Sequence, residues 1–325
     1  MERFDRIPGP AVEAYGRAPC TLGRTAFVVV VGNEGRPGMR AHAFQRVGAI
    51  VAAGICLLGA AACSSSSASE EDAPFSAAPL PAGAGTYLAL GDSLPFGARD
   101  GESDDVYADA ANFVGYPELV GESRQLNVLN AACPGETTDS AAHGPASDGG
   151  CPYRESYPLH VAYQSAAESQ LAYAVRSLRQ EDDVELVTLQ LGANDLLQCR
   201  ENTSDACSSE LGTLAAQVQA NLSTILGTLR DDGGYAGPVV VATYYAPDYS
   251  DARAVAQMRA LNVGIAAAAQ AHGAAVADGF AAFQPVAAGS DGDSTDAGLV
   301  LPNDIHPTRR GQQLMADAVQ AAIPD

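Results

Sequence analysis

Short apolar runs alternate with longer amphipathic stretches from Thr86 onward, and this alternation limits the fold more than any other feature of the chain. Strands that alternate with helices need crossover connections, which build a parallel sheet covered by helices on both faces. We therefore predict an α/β domain with a parallel sheet of about five strands. The predicted strands are residues 87–90, 126–129, 184–191, 238–243 and 274–277, and the predicted helices are roughly 113–123, 160–179, 211–230 and 252–271, with a last helix after Pro307.

The acidic character of this region excludes one class of function. All 18 basic residues of the 325-residue chain are arginine, and seven of them lie in residues 1–62 with only four acidic residues. The chain from Cys63 onward carries 11 basic and 35 acidic residues, a net charge of −24. Nucleic-acid binding needs clustered positive charge to neutralise phosphates. We therefore expect no nucleic-acid partner.

The N-terminal region has the pattern of an export signal. Arg40 and Arg46 precede the apolar residues 47–62, and a run of small residues then leads to Cys63. This pattern resembles a bacterial lipoprotein signal, in which the cysteine after the small residues is lipidated, although Ala60 stands where such signals usually carry leucine. The alternative is an ordinary cleaved secretory signal, in which Cys63 has no special role.

These features predict the organisation of the whole chain. Residues 1–38 are expected to be an over-extended start, and residues 39–62 the lipoprotein-type signal peptide. Residues 63–85 are rich in Ser, Ala, Pro and Gly, a composition typical of a flexible tether. Residues 86–325 have a suitable length for a single α/β domain. We expect an exported monomer, either anchored outside the cytoplasm through a lipid on Cys63 or secreted.

Four cysteines remain in the predicted domain after the signal and the anchor are set aside. An even number in an oxidising compartment indicates two disulfides, for which three connectivities are possible. Pairing of Cys133 with Cys151 and of Cys199 with Cys207 is the simplest, because each pair closes one short loop. The spacings do not match a zinc site, and we expect no metal.

Polar residues and glycines follow the predicted strands, where the chemistry of a parallel sheet gathers. Ser93 comes after the first strand, Gly135 after the second and Asn194 after the third. A serine hydroxyl can act as a nucleophile, while a glycine N–H and an asparagine amide can donate to an oxyanion. His306, which stands between a short acidic loop and the last helix, is the expected base. Surface positions are expected for His143 and His160, and a structural role at a helix end for His272.

These four clusters, in this order, resemble the SGNH (GDSL) hydrolase superfamily, which is named for Ser, Gly, Asn and His in four blocks. The match extends from Thr86 to Ala322. The resemblance implies a three-layer α/β/α sandwich around a flavodoxin-like sheet. It also implies a role for each site residue: Ser93 as nucleophile, the N–H groups of Ser93 and Gly135 with the amide of Asn194 as oxyanion hole, and His306 as general base.

Two positions depart from the pattern of the superfamily. Pro95 follows Leu94, where members often carry serine or threonine. The usual Asp-x-x-His run places the acid of the triad three residues before the histidine, and that position is Asn303 here. We expect Asp304, two residues before His306, to orient the imidazole. The alternative is a backbone carbonyl in that role, which would leave a Ser-His dyad.

The predicted function is hydrolysis of carboxylic esters through an acyl-enzyme on Ser93. No cofactor is expected, because no nucleotide-binding glycine motif opens a predicted helix. The expected substrate is a small-molecule or glycan ester. Three tyrosines after the fourth strand are candidates to line its site: Tyr244, Tyr245 and Tyr249. The alternative from another class is a non-catalytic surface lipoprotein that binds a glycan or polymer on the same fold.

Overall fold

The central sheet has five parallel strands in the order β2-β1-β3-β4-β5, which is the flavodoxin-like order. The predicted fold class is thereby confirmed. The computed structural model describes residues 84–324, so the expected start, the signal peptide, Cys63 and most of the expected tether lie outside the described residues. The strands are β1 (Thr86–Gly91), β2 (Asn127–Asn130), β3 (Val184–Gln190), β4 (Val239–Ala242) and β5 (Ala275–Ala277).

Strand β1 lies inside the sheet and is buried along its whole length. It pairs with β2 on one side and with β3 on the other. A strand covered on both faces has no solvent side, which explains why its sequence is nearly continuous in apolar residues instead of alternating. The carboxyl ends of these three neighbouring strands therefore open at the same edge of the sheet.

Helices cover both faces of the sheet and give three layers. Helices α3, α9 and α10 pack together on one face, and α4, α5, α7 and α8 pack together on the other. None of the helices within residues 84–324 is both long and apolar enough to cross a membrane. The helices are α1 (Ser93–Phe96), α2 (Asp104–Tyr107), α3 (Tyr116–Arg124), α4 (Thr138–His143), α5 (Gln170–Gln180), α6 (Ala193–Asn202), α7 (Leu211–Asp231), α8 (Ala252–Ala271), α9 (Gly279–Ala287) and α10 (Arg309–Ala322).

The helix predicted for residues 160–179 begins ten residues too early. Helix α5 starts at Gln170, because the Ser169 side chain accepts a hydrogen bond of 3.0 Å from the N–H of Ala172 and so caps the helix. Before this cap, Arg154 donates to the backbone carbonyl of Glu168 at 2.9 Å. That carbonyl bonds to a side chain from another segment instead of to a helical N–H, and residues 160–169 form a loop.

Helices α7 and α8 pack closely at a glycine. A Cβ atom on Gly264 of α8 would lie 2.6 Å from the backbone oxygen of Ala215 in α7. Backbone atoms cannot move aside as a flexible side chain can, so only glycine allows this separation of the two helices. Gly212, also in α7, has no atom within 4 Å of such a Cβ position.

We predict that Gly264→Ala lowers the free energy of unfolding by about 1–3 kcal/mol, because the added methyl group forces the two helices apart. Gly212→Ala is the control, and it should raise the free energy of unfolding by up to about 1 kcal/mol, because alanine favours the helix. Urea denaturation of both variants measures the difference. Equal effects of the two substitutions would contradict the close packing.

Candidate functional site

The four residues expected to carry the chemistry line one cavity of about 390 Å³. Ser93 begins α1 after β1, Gly135 follows β2, Asn194 lies in the first turn of α6 after β3, and His306 precedes α10. The cavity thus lies at the carboxyl ends of the three neighbouring strands, which is the position that the strand order favours for a ligand. A second cavity of about 350 Å³ contains none of the four and shares only Tyr157 with the first.

The turn that presents Ser93 depends on Gly91. This glycine has a φ of +154°, and a Cβ atom on it would lie 2.5 Å from Cγ of Pro95 and 2.6 Å from the backbone oxygen of Gln190. The Asp92 side chain then caps α1 by accepting from the N–H of Leu94 at 3.0 Å. As the first residue of α1, Ser93 has an N–H with no acceptor inside the helix.

Pro95 fits this turn, although it departs from the pattern of the superfamily. It is the third residue of α1, where a backbone N–H has no intrahelical partner and its absence costs nothing. Its carbonyl oxygen accepts from the side-chain amide of Asn130 at 2.9 Å. The proline therefore connects the turn after β1 with the end of β2.

Gln170 joins the Ser93 turn to the Gly135 segment. Its Oε1 accepts from the N–H of Gly91 at 2.6 Å, and its Nε2 donates to the carbonyl of Gly91 at 2.9 Å. The same Nε2 donates to Oε2 of Glu136 at 3.1 Å. The sequence offered no signal for this residue, because a glutamine at the start of a helix is ordinary. Its role depends on where α5 packs against β1.

Gly135 and Asn194 bring donors to the cavity from two different strands. Gly135 has a φ of +84°, and a Cβ atom on it would lie 2.6 Å from Cδ of Pro152. No acceptor for the Gly135 N–H is found within residues 84–324. The Asn194 side-chain amide donates to the carbonyl of Glu136 at 2.9 Å, which orients the amide and leaves its second hydrogen for another acceptor.

Both short-range disulfides are present. Cys133 is bonded to Cys151, and Cys199 to Cys207. The first bond is buried and closes the segment that carries Gly135, whose carbonyl accepts from the N–H of Cys151 at 3.0 Å. Because both sulfurs of this pair are oxidised, they cannot act as thiolate ligands for a metal.

Asp304 makes the contact to His306. Its Oδ1 lies 2.5 Å from Nδ1 of His306 and accepts from the N–H of the same residue at 3.1 Å. Its Oδ2 accepts from the N–H of Asp100 at 2.9 Å, and the carboxylate side chain is only 5% exposed. Asn303, at the position that the superfamily pattern gives to the acid, is exposed and has a φ of +58°.

The hydrogen bonds of Asp304 determine which nitrogen of His306 carries the proton. Burial raises the pKa of the Asp304 carboxyl, but the hydrogen bonds from His306 and Asp100 together outweigh it, and the pKa lies well below its usual range. The carboxylate is therefore ionised and only accepts hydrogen bonds. Nδ1 must donate to it, which leaves the lone pair on Nε2 available as a base.

The tyrosines expected to line the substrate site lie elsewhere. Tyr244 and Tyr245 are buried, and their hydroxyls support the site from inside: Tyr244 donates to Oδ2 of Asp92, and Tyr245 to the carbonyl of Ile305, both at 2.5 Å. Tyr249 donates to the carbonyl of Phe280 at 2.8 Å. The aromatic side chains of the cavity are those of Tyr107, Tyr153 and Tyr157.

These three tyrosines had no signal in the sequence. They lie in short segments without apolar periodicity, and they form one cluster, with ring centroids 4.9–6.2 Å apart. His160 also belongs to this region, and its surface placement was wrong: Nε2 lies 3.1 Å from the carbonyl oxygen of Phe96, and burial lowers the pKa of the imidazole. His143 is exposed, as expected.

Buried carboxyl groups surround the site. Burial raises the pKa of Asp92 and Asp195 to about 6 and that of Glu136 to about 7, although each accepts hydrogen bonds that partly oppose the shift. The Asp195 carboxylate accepts from the N–H of Thr138 at 3.0 Å and from its hydroxyl at 2.5 Å, and so connects α6 to α4. These acids hold backbone segments together and do not face the cavity.

A family model described as the GDSL-like lipase/acylhydrolase family matches residues 89–314. Phospholipase A1 from Streptomyces albidoflavus NA297 is 20% identical, with 74% of this chain and 99% of that chain covered and a TM-score of 0.48. The lipase Lip_vut3 from a goat rumen metagenome is also 20% identical, with 73% of this chain and 96% of that chain covered and a TM-score of 0.49. The acetylxylan esterase Axe2 from Geobacillus stearothermophilus is 16% identical, with 73% of this chain and 93% of that chain covered and a TM-score of 0.48. No curated protein matches the chain in sequence.

We predict that the domain loses stability as the pH rises from 5 to 8. A carboxyl whose pKa is raised by folding stabilises the fold fully below its unfolded value, near 4, and loses that contribution as the pH rises through the folded value. Glu136→Gln should reduce this pH-dependent loss by about 1–3 kcal/mol, since Glu136 has a pKa of about 7 in the fold.

Urea denaturation at pH 5, 6, 7 and 8 measures this effect. The control is Glu155→Gln, which removes an exposed carboxylate and should keep the pH dependence of the unmodified domain. The same loss of stability in Glu136→Gln as in the unmodified domain would contradict the assigned role of this carboxyl.

Proposed function

Because the chain belongs to the GDSL-like lipase/acylhydrolase family, we propose that it hydrolyses carboxylic esters through an acyl-enzyme on Ser93. One observation carries the proposal: Ser93, Gly135, Asn194 and His306 line the same cavity. They come from four distant parts of the chain, so their convergence is a property of the fold.

The first step is attack of Ser93 Oγ on the carbonyl carbon of the ester. His306 accepts the hydroxyl proton at Nε2, the nitrogen that the contact with Asp304 leaves unprotonated. A negative charge then develops on the carbonyl oxygen. The N–H groups of Ser93 and Gly135 and the amide of Asn194 are the donors proposed to stabilise it.

The second half of the reaction returns the enzyme to its starting state. Protonated His306 gives its proton to the leaving alcohol oxygen as the carbon–oxygen bond breaks, and an acyl ester on Ser93 remains. A water molecule, deprotonated by His306, attacks the acyl carbon; His306 then gives that proton to Ser93 Oγ as the carbon–oxygen bond to the serine breaks and the carboxylic acid leaves. Asp304 stabilises the imidazolium in both halves, since its carboxylate is ionised and nearly excluded from solvent.

The lining of the cavity supports a small uncharged ester as substrate. Its volume of about 390 Å³ is at the lower end of small-molecule sites. Ile305, next to His306, is 40% exposed, and its N–H and carbonyl are both hydrogen-bonded, so its side chain presents a fixed apolar surface to the cavity. Asp100 also lines the cavity, and its exposed carboxylate repels anionic groups. The positive charge of Arg99, which lines the cavity too, is paired with Glu102 at 3.3 Å.

We also propose that the domain works outside the cytoplasm as a monomer. Its two disulfides fit an oxidising compartment. The export signal and a lipid on Cys63 are proposed from the sequence alone. Since the domain is strongly acidic, anionic lipid headgroups do not attract it, and attachment to a membrane depends on that lipid.

We predict that Ser93→Ala lowers kcat for p-nitrophenyl acetate at least 10³-fold, because no other group replaces the nucleophile. Thermal unfolding should be nearly unchanged. The unmodified protein should also react with a serine-directed organophosphonate at Ser93, as read by mass spectrometry. Ser209→Ala, at an exposed serine, is the control and should retain full activity. Unimpaired hydrolysis by Ser93→Ala would overturn the proposal, and failure to label Ser93 would favour a binding protein.

We further predict that Ile305→Ala raises KM for p-nitrophenyl butyrate about threefold to tenfold, because an apolar contact of a few methylene groups is lost. KM for the acetate should change less than twofold. Val263→Ala is the matched control, because Val263 is also exposed but lies on α8 outside the cavity. An equal change of KM for both esters would contradict a contact between Ile305 and the substrate.

A further inference from the structure

Asp100 lies at the opposite end of the domain sequence from His306 but close to it in the fold. Its N–H donates to Oδ2 of Asp304 at 2.9 Å. Its own Oδ1 lies 4.0 Å from Nδ1 of His306, the atom that Asp304 already contacts at 2.5 Å. Two carboxylates therefore face one nitrogen of the imidazole.

The N–H of Asp100 explains why its side chain stays near the imidazole. The hydrogen bond to Asp304 fixes the backbone at residue 100, which belongs to the segment between α1 and α2. Its carboxylate is 72% exposed, whereas the Asp304 side chain is 5% exposed. The two acids thus differ in environment. The Asp304 carboxylate is hydrogen-bonded and nearly excluded from solvent, whereas Asp100 is fixed through its backbone and its carboxylate is solvated.

We propose that Asp100 is a second carboxylate for His306, a positioning residue that stabilises the imidazolium together with Asp304. This inference rests on the proposed function, in which His306 is the base. The backbone N–H of Asp100 also supports the acid at the position that departs from the Asp-x-x-His pattern. Asp304, two residues before His306, reaches Nδ1 with one oxygen, while its other oxygen, Oδ2, accepts from the N–H of Asp100, some 200 residues away in sequence.

Other charged and titratable groups near His306 have different partners. Asp92, under the Ser93 turn, is hydrogen-bonded to Tyr244, and the negative charge of Asp92 favours the imidazolium from that side. Arg99 is paired with Glu102 at 3.3 Å. The phenols of the cavity are Tyr107, Tyr153 and Tyr157, and the phenol of Tyr245 is hydrogen-bonded to the carbonyl of Ile305.

The test is a double-mutant cycle with Asp100→Asn and Asp304→Asn, assayed on p-nitrophenyl acetate. Asp100→Asn alone should lower kcat about twofold to fivefold, as expected for an exposed charge. The midpoint of the acid limb of the pH–rate profile should move to lower pH by about 0.2–0.7 units, because one negative charge that favours the imidazolium is gone. Asp304→Asn should lower kcat roughly 10²- to 10⁴-fold.

The double variant tests whether Asp100 and Asp304 act on the same imidazole. With Asn at position 304, Asp100 supplies the one carboxylate within 4.0 Å of Nδ1 among the described residues, so its removal should cost roughly a further tenfold. Asp105→Asn removes an exposed carboxylate of the neighbouring helix α2, outside the cavity. It is the control for the overall negative charge near the site and should leave kcat and the pH–rate profile unchanged.

Three results would overturn the inference: an unmoved acid limb in Asp100→Asn, an equal factor for this substitution with and without Asp304, or an equal shift in Asp105→Asn. Thermal unfolding of each variant separates loss of activity from loss of fold. Ser93→Ala, assayed beside them, keeps the two proposals distinct. If it is inactive and Asp100→Asn behaves as the unmodified enzyme, only the role of Asp100 fails.

Discussion

The two hydrogen bonds between Gln170 and the backbone of Gly91 are the interaction on which the site depends. They hold the carboxyl end of β1 from the start of α5, and a third bond from the same amide reaches Glu136. The Glu136 carbonyl in turn orients Asn194. The ends of β1, β2 and β3 are thereby joined through polar groups, of which Gln170 and Glu136 are buried. A buried network of this kind rigidifies a site because every alternative leaves a polar group unpaired.

Much of the fold followed from the sequence because its signals are local. The apolar runs predicted all five strands, and the residues directly after three of them, with His306, line the cavity. Both disulfides connect cysteines close in sequence, so the simplest pairing is the one found. These features depend on periodicity and spacing, which can be read without knowledge of tertiary contacts.

What the sequence did not reveal depends on loops placed by distant elements. In the sequence, Gln170 and Asp100 are ordinary polar residues. Their contacts with the site depend on how α5 and the segment after α1 pack in the fold. Tyr244 and Tyr245 were expected in the substrate site because they follow a strand, but both are buried beneath it. The helix predicted from residue 160 is a loop as far as Ser169, because Arg154 donates to the backbone carbonyls of Ala166 and Glu168. Helical periodicity in a short segment does not outweigh such a contact.

The position of β1 has a consequence for the newly synthesised chain. This strand is the first in sequence of those described, yet it lies between two others, and its second neighbour, β3, begins only at Val184. A strand that is apolar on both faces and lacks one neighbour is prone to pair with another molecule. During synthesis this strand must stay shielded for nearly 100 further residues, until β3 has been made. The dependence of the chain on chaperones should therefore be greatest before β3 has emerged.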